Sequence, residues 1–393
     1  MRVVSLNRQA PYVSLGVALE AGSRFESHEN AGAAFTLAQL YMKATRTRSA
    51  LRVTRDLEAV STDASATATR DFVLYRATAQ RDVASAAVTQ LVDLAAPALH
   101  HWEVDEAREY IALKADAALT DAARADDLLY GAAFRSQGFG RPVVPHRSAA
   151  DLSLDALRAY VEQHFTAQRL IIVASGLDVA EAVAIAKNAT AYVPTKGTVA
   201  PPATPYVGGE RYLELPGALT HFSIAHSAAG ITRAQAAVLV AALGRHHVEN
   251  AWRTVGLGGR LAKMQTGSLV SAESFFTGTG PSALLGCRIV SNTSKPAAKL
   301  AQARALLESL AQPLDSQALQ GAKNHAIRDV LTVHGSRRVV SYLARVASRG
   351  GNLSASAFIS EINALSAADV AAAAKKVLST PVSQAAVGNV TGL

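Results

Sequence analysis

Few stretches of this 393-residue chain gather the residue types that metal or acid–base chemistry needs. His246-His247-Val248-Glu249-Asn250 sets an imidazole and a carboxylate three residues apart, a separation that shares one helical face. Two such groups without a third make a weak metal site, and after the apolar run Ala236–Leu243 the segment reads as a polar helix end. His100-His101-Trp102-Glu103 meets the same objection: its histidines read as surface groups, and Trp102 is expected to anchor its helix. Gly256-Leu-Gly-Gly259 precedes Arg260, yet no Lys-(Ser/Thr) follows and no Gly-x-Gly-x-x-Gly spacing exists, so a phosphate loop is not expected. Gly278-Thr-Gly-Pro-Ser-Ala283 lies between strands expected at Ser268–Phe276 and Leu284–Val290, where a hairpin loop suffices. Cys287 is the single cysteine, which excludes an intrachain disulfide framework and any four-cysteine metal site.

The elements that would position such groups follow the hydrophobic period. Strands are expected at Val3–Leu6 and Tyr12–Leu19, then helices over Gly32–Lys43 and near Arg52–Val60. Strands at Asp63–Thr69 and Phe72–Ala79 precede helices over Val83–Leu94, His101–Ala118 and Asp121–Phe134. An antiparallel sheet with helices on one face accounts for this order. The stretch that starts at Ser153 (SLDALRAYVEQHFT) lines up with the one at Ser366 (SAADVAAAAKKVLS), an offset of 213, and both read as Ser-capped helices. Each is followed by a strand, Leu170–Ala174 or Val382–Val387, and Tyr12–Leu19 matches His221–Ser227. Two degenerate copies of one α+β unit are the economical reading. Between them, Pro194, Pro201, Pro202 and Pro205 crowd an almost uncharged stretch, read as a linker. The expected division is a domain over 1–192, a linker over 193–212 and a domain over 213–393.

Composition narrows the function classes. Hydrophobic residues make up 49% and charged ones 18%, enough apolar content to build cores and exclude disorder. The longest apolar runs fall well short of a membrane span, so membrane association is expected only through partners. A net charge of +8 raises nucleic acid as a partner, but the basic residues are scattered, and even Lys43–Arg55 alternates with apolar and hydroxyl residues. No nucleic-acid partner is expected. The N-terminus reads as strand from its first residues, with neither a secretory apolar core nor an Arg/Ser-rich amphipathic helix; a removed presequence and internal import signals both remain open.

The segment from Ala21 to Gln39 (AGSRFESHENAGAAFTLAQ) resembles the pitrilysin-type metallopeptidases. The mitochondrial members of that family include the processing peptidase and the core proteins of ubiquinol–cytochrome c reductase. The family has a Gly-Ser-Arg-(Tyr/Phe)-Glu stretch, then an Asn-x-Gly turn that opens a helix bearing His-x-x-Glu-His. That spacing puts two zinc-binding imidazoles and a water-activating carboxylate on one face. Gly22, Ser23, Arg24, Phe25, Glu26, Asn30 and Gly32 match the flank. The resemblance puts Phe35 at the first histidine, Ala38 at the general base, Gln39 at the second histidine and Ala115 at the distal glutamate. Phe and Ala cannot ligate zinc, and a lone Gln amide is a poor substitute for imidazole. Losing all four groups together strands no partner, whereas losing one would leave others unpaired at about 1–3 kcal/mol each. The expectation is an inactive homologue with no catalytic, metal or cofactor residues.

Within the family, several short stretches look like the core-protein branch: Leu99-His-His-Trp-Glu-Val104, Val161-Glu-Gln-His-Phe-Thr166, Tyr206-Val-Gly-Gly-Glu210, Ala374-Lys-Lys-Val377 and Val387-Gly-Asn389. The glycine-rich loop with which the family's non-catalytic processing subunit presents substrates has no clear equivalent, which counts against presequence handling. The resemblance implies a structural subunit on the matrix side of the mitochondrial inner membrane. The implied partners are core protein 1 or a beta-type processing peptidase subunit, with cytochrome b, cytochrome c1 and other subunits of that complex.

Overall fold

The change from a two-residue to a 3.6-residue apolar period along the chain is followed by the elements themselves. In the computed structural model β1 (Arg2–Leu6) and β2 (Tyr12–Leu19) lead into α1 (Ala33–Gln39) and α2 (Ala50–Val60). Next come β3 (Asp63–Ala68), β4 (Val73–Gln80), α3 (Ala84–Asp93), α4 (His101–Ala118), α5 (Asp121–Phe134), α6 (Leu154–His164), β5 (Leu170–Ser175) and α7 (Val179–Ala189). The second half runs β6 (Gly209–Glu214), β7 (Thr220–Ser227), α8 (Arg233–Leu243), β8 (Arg245–His247), β9 (Leu269–Thr277) and β10 (Leu284–Ser291). It continues with α9 (Pro296–Glu308), α10 (Ser316–His334), α11 (Val339–Ala347), α12 (Ala355–Ala364), α13 (Ala367–Leu378) and β11 (Val382–Gly388). The structure describes residues 1–8, 10–60, 63–145, 152–190, 193, 204–247, 259–264, 269–278, 280–292, 295–336, 338–348, 351 and 354–393.

The chain forms two units. One comprises Met1–Ala118, Arg141–Pro202 and Val333–Leu353; the other comprises Leu119–Gly140, Ala203–Thr332 and Ser354–Leu393. Their sheets have one topology: β1-β5-β2-β4-β3 in the first, and β6-β11-β7-β10-β9 with β8 added at the edge in the second. The repeated order bears out the α+β reading. Ser153 and Ser366 cap α6 and α13 as their sequences imply, each hydroxyl accepting a backbone N–H three residues on.

Two features depart from a plain antiparallel sheet covered on one side. β5 runs antiparallel to β2 but parallel to β1, and β11 stands likewise between β7 and β6. β1 and β2, although joined by a short connection, are not neighbours, because the late strand β5 inserts between them. Each sheet is also covered on its second face. In the first unit Val339, Val340, Leu343 and Ala344 of α11 pack on Val4, Ala18, Ile171 and Val173. In the second, Leu129, Ala133 and Phe134 of α5 pack with Ala225, Leu284 and Ala385. A strand such as LIIVAS, apolar on both faces, requires such a sandwich. Gly16 permits it in β2, since a Cβ there would lie 2.3 Å from Cγ1 of Val340.

Local differences have local causes. The first helix stops at Gln39 rather than Lys43. Gly244, at φ +77°, ends α8, and Arg245–His247 is a strand paired with β9, not a polar helix end; 248–250 lie outside the described residues. The Gly278–Ala283 connection does join an antiparallel pair, β9 and β10. Half of the expected linker, 194–203, and 256–258 of the glycine stretch lie outside the described residues, while the linker's final residues, from Gly209, already belong to β6. No single described helix is long and apolar enough to cross a membrane; the α12–α13 pair passes on length and composition, bent by 96°.

Candidate functional site

The quoted flank folds as a tightly tied lead into α1. Gly22 lies so close to the backbone of Thr69 and Arg70 that a Cβ would come within 2.5 Å of both. Tyr160 of α6, fully buried, donates its hydroxyl to the carbonyls of Ala21 (2.9 Å) and Gly22 (3.1 Å). Arg24 pairs with Asp71 at 3.2 Å, and the guanidinium groups of Arg24 and Arg169 each lie over the Phe25 ring, 4.6 and 4.5 Å from its centroid. Asn30 accepts the N–H of Ser27 at 2.6 Å, closing the turn. Gly32 then adopts φ +90°, which a side chain would strain.

Glu26 is the centre of this segment. Its buried carboxylate accepts the backbone N–H groups of Gly32 (2.8 Å) and Ala34 (2.9 Å), so it satisfies donors that a helix start otherwise leaves orphaned. Burial raises its pKa to about 7; the two N–H donors and Arg141 oppose that shift without cancelling it. His164 stands against Tyr160 and Phe25, with ring centroids 4.6 and 5.6 Å apart. Burial, helped by Arg169, lowers its pKa to about 4, so the ring is neutral at physiological pH. These groups act on backbone and packing. Sequence reasoning used Glu26 only as a family match, because its six- and eight-residue reach to Gly32 and Ala34 is not the three-residue capping box.

The four positions matched to the family's zinc chemistry fall on α1 and α4. Phe35, Ala38 and Ala115 belong to one buried apolar cluster, with Leu37, Ala107 and Ile111 among its other members. Gln39 is half-buried, and Asp116, next to Ala115, faces solvent. Among the described residues no three His, Cys, Asp or Glu side chains form a group able to hold a metal ion. The buried carboxylate of α4, Glu103, is already used: both its oxygens accept the N–H of Ala44 at 3.2 Å. Trp102 does not anchor α4. It is 58% exposed, and Val104, Ala107, Ile111 and Ala115 hold the helix instead.

Two units of one strand order, the first holding a Glu-capped helix and a second helix around an apolar centre and the second a helix capped by Thr232 and Gln235, define a peptidase-like pair of domains. Residues 2–146 match the model of the insulinase (peptidase family M16) domain, and residues 151–325 match the peptidase M16 inactive domain. The chain belongs to the M16 family. It is 25% identical to the mitochondrial-processing peptidase subunit alpha of Solanum tuberosum, over 100% of this chain and 81% of that protein. It is 27% identical to the mitochondrial cytochrome b-c1 complex subunit 2 of Mus musculus, over 98% of this chain and 87% of that protein. The Homo sapiens counterpart gives 27% identity with the same coverage.

Proposed function

We propose that this chain is a non-catalytic structural core subunit of mitochondrial ubiquinol–cytochrome c reductase, of the core protein 2 type. It supports assembly and stability of the complex on the matrix side of the inner membrane, and is held there by core protein 1, cytochrome b and cytochrome c1. The observation that carries this reading is the burial of Phe35, Ala38 and Ala115 in one apolar cluster. A pocket that binds zinc and water needs ligating atoms and room for solvent, and those positions offer methyl groups and a phenyl ring. The loss of zinc chemistry at Phe35, Ala38, Gln39 and Ala115 is part of the proposal. So is the division of the homologous halves at 193–212, with α5 and α11 each contributed to the unit built mainly from the other half.

The test is purification of the native particle that contains the chain. Co-purification with the haems of cytochromes b and c1, in fixed ratio, is the expected result. Stoichiometric zinc bound by the isolated chain would overturn the reading. A second reading, the non-catalytic alpha-type subunit of a processing peptidase, is favoured by the full-length likeness to such subunits. Reconstitution with a zinc-bearing beta-type partner separates the two, because only in the second does presequence cleavage require this chain.

A further inference from the structure

Helix α4 is amphipathic in an unusual sense, being apolar on two sides. Glu103, Val104, Ala107, Ile111 and Ala115 form its buried face. On the solvent side Trp102, Tyr110 and Leu113 are 58%, 51% and 63% exposed. Positions 102, 106, 109, 110 and 113 follow the i, i+3, i+4 rule and share one helical stripe. Three of the nine large hydrophobic residues exposed among the described residues therefore sit on a single helix. Together they present on the order of 300 Å² of side chain, the size at which a surface patch on a monomer is often functional.

The two aromatic side chains are held by neighbours. Trp102 stacks on His100 with centroids 4.5 Å apart and meets His101 edge-on at 4.9 Å; the Lys114 ammonium lies over the Tyr110 ring at 5.3 Å. An aromatic side chain fixed before contact loses little entropy on binding, which is the property of an interface anchor.

Charge selects the partner. The exposed acids of α4 are Asp105, Glu106, Glu109 and Asp116, against Arg108 and Lys114, in a chain whose net charge is +8. Glu106 is met by Lys43 at 2.8 Å and Asp105 by Arg108 at 3.0 Å, so the four acids exceed Lys43, Arg108 and Lys114 by one, with Glu109 and Asp116 along the same edge of the stripe. An acidic rim disfavours an anionic bilayer, and acid would face acid if two copies met through this helix. We infer that the outer face of α4 is a docking surface for a partner protein that presents an apolar patch edged with Lys or Arg. The inference goes beyond the proposed function, since it holds for whichever assembly contains the chain.

The test places a photo-crosslinking amino acid at position 113 of the full chain within its native particle, with position 331, another exposed leucine, as the control. The expected result is one crosslinked partner peptide with Lys or Arg beside its apolar residues, and no such product from position 331. Crosslinks confined to phospholipid, to a second copy of the chain or to no molecule at all would overturn the inference. Leu113→Glu supplies an independent check. Its thermal midpoint should stay unchanged while retention of the partner in the purified particle falls at least tenfold; full retention would also overturn the inference.

Discussion

Replacing Ala38 by Glu would restore, at one position, the group the family resemblance assigns there, and the structure sets its cost. Ala38 is 1% exposed within the cluster that contains Phe35 and Ala115. A carboxylate placed there has no partner and would be forced into its neutral form. Holding a carboxyl of ordinary pKa near 4.3 protonated at pH 7 costs about 3.7 kcal/mol, from 1.36 kcal/mol per pH unit. Overpacking adds about 1–3 kcal/mol, which Ala38→Met would carry alone. The Glu variant should therefore be about 4 kcal/mol less stable than the Met variant at pH 7, measured by urea unfolding. Near pH 4 the gap should shrink to below 1 kcal/mol, since the unfolded carboxyl is then largely protonated too. A gap under about 1 kcal/mol at pH 7, insensitive to pH, would falsify the idea that this part of α1 is a packing surface. It would reveal instead a solvent-filled pocket of the kind a metal site needs.

Other outcomes follow from the lead into α1. Glu26, at about 7 against an ordinary 4.5, gives stability that is present below pH 4.5 and lost as pH rises through 7, so Glu26→Gln should remove a decline of about 3 kcal/mol between pH 4.5 and 7 in urea midpoints. His164, lowered to about 4 from 6.5, has the opposite sign: its stability is present above pH 6.5 and lost as pH falls through 4, and His164→Gln should abolish that loss. Tyr160→Phe removes the donor to Ala21 and Gly22 and should cost about 1–2 kcal/mol in chemical unfolding. Gly16→Ala, driving a methyl into Val340, should cost about 1–3 kcal/mol and increase hydrogen exchange in α11.

Much of the fold was legible because it is written locally. The helices His101–Ala118 and Asp121–Phe134 agree with the sequence reading to the residue, and the hairpin across Gly278 to Ala283 agrees in place. Pairing was not legible, because nothing within Leu170–Ser175 says that it will enter between β1 and β2. Its apolar run without alternation did hold the signal that both faces are covered, although not that Val339–Ala347, so distant in sequence, supplies one cover. β8 was misread because the apolar run before it suggested a continuing helix, while Gly244 in a positive-φ conformation ended it. At the site, the residue types at 35, 38, 39 and 115 were plain, but their packing is tertiary. Trp102 misled because a large aromatic near a helix start is more often buried than displayed, and only the contacts of α4 distinguish the two.

The flank kept its family residues where their partners are backbone atoms. Tyr160 bonds two carbonyls, Glu26 two N–H groups, and Gly22 and Gly32 answer to close approach and to a positive φ. None of these contacts depends on what the next turns of α1 carry. A helix start must be satisfied whether the face beyond it holds zinc or a phenyl ring. At Phe35, Ala38 and Ala115, by contrast, a side chain answers only to its neighbours in the cluster, and the apolar groups there leave no buried charge unpaired. The satisfied helix start and the apolar face beyond it are therefore energetically separable in this unit. The Glu26 carboxylate grips the start of α1 whatever Phe35, Ala38 and Ala115 pack against.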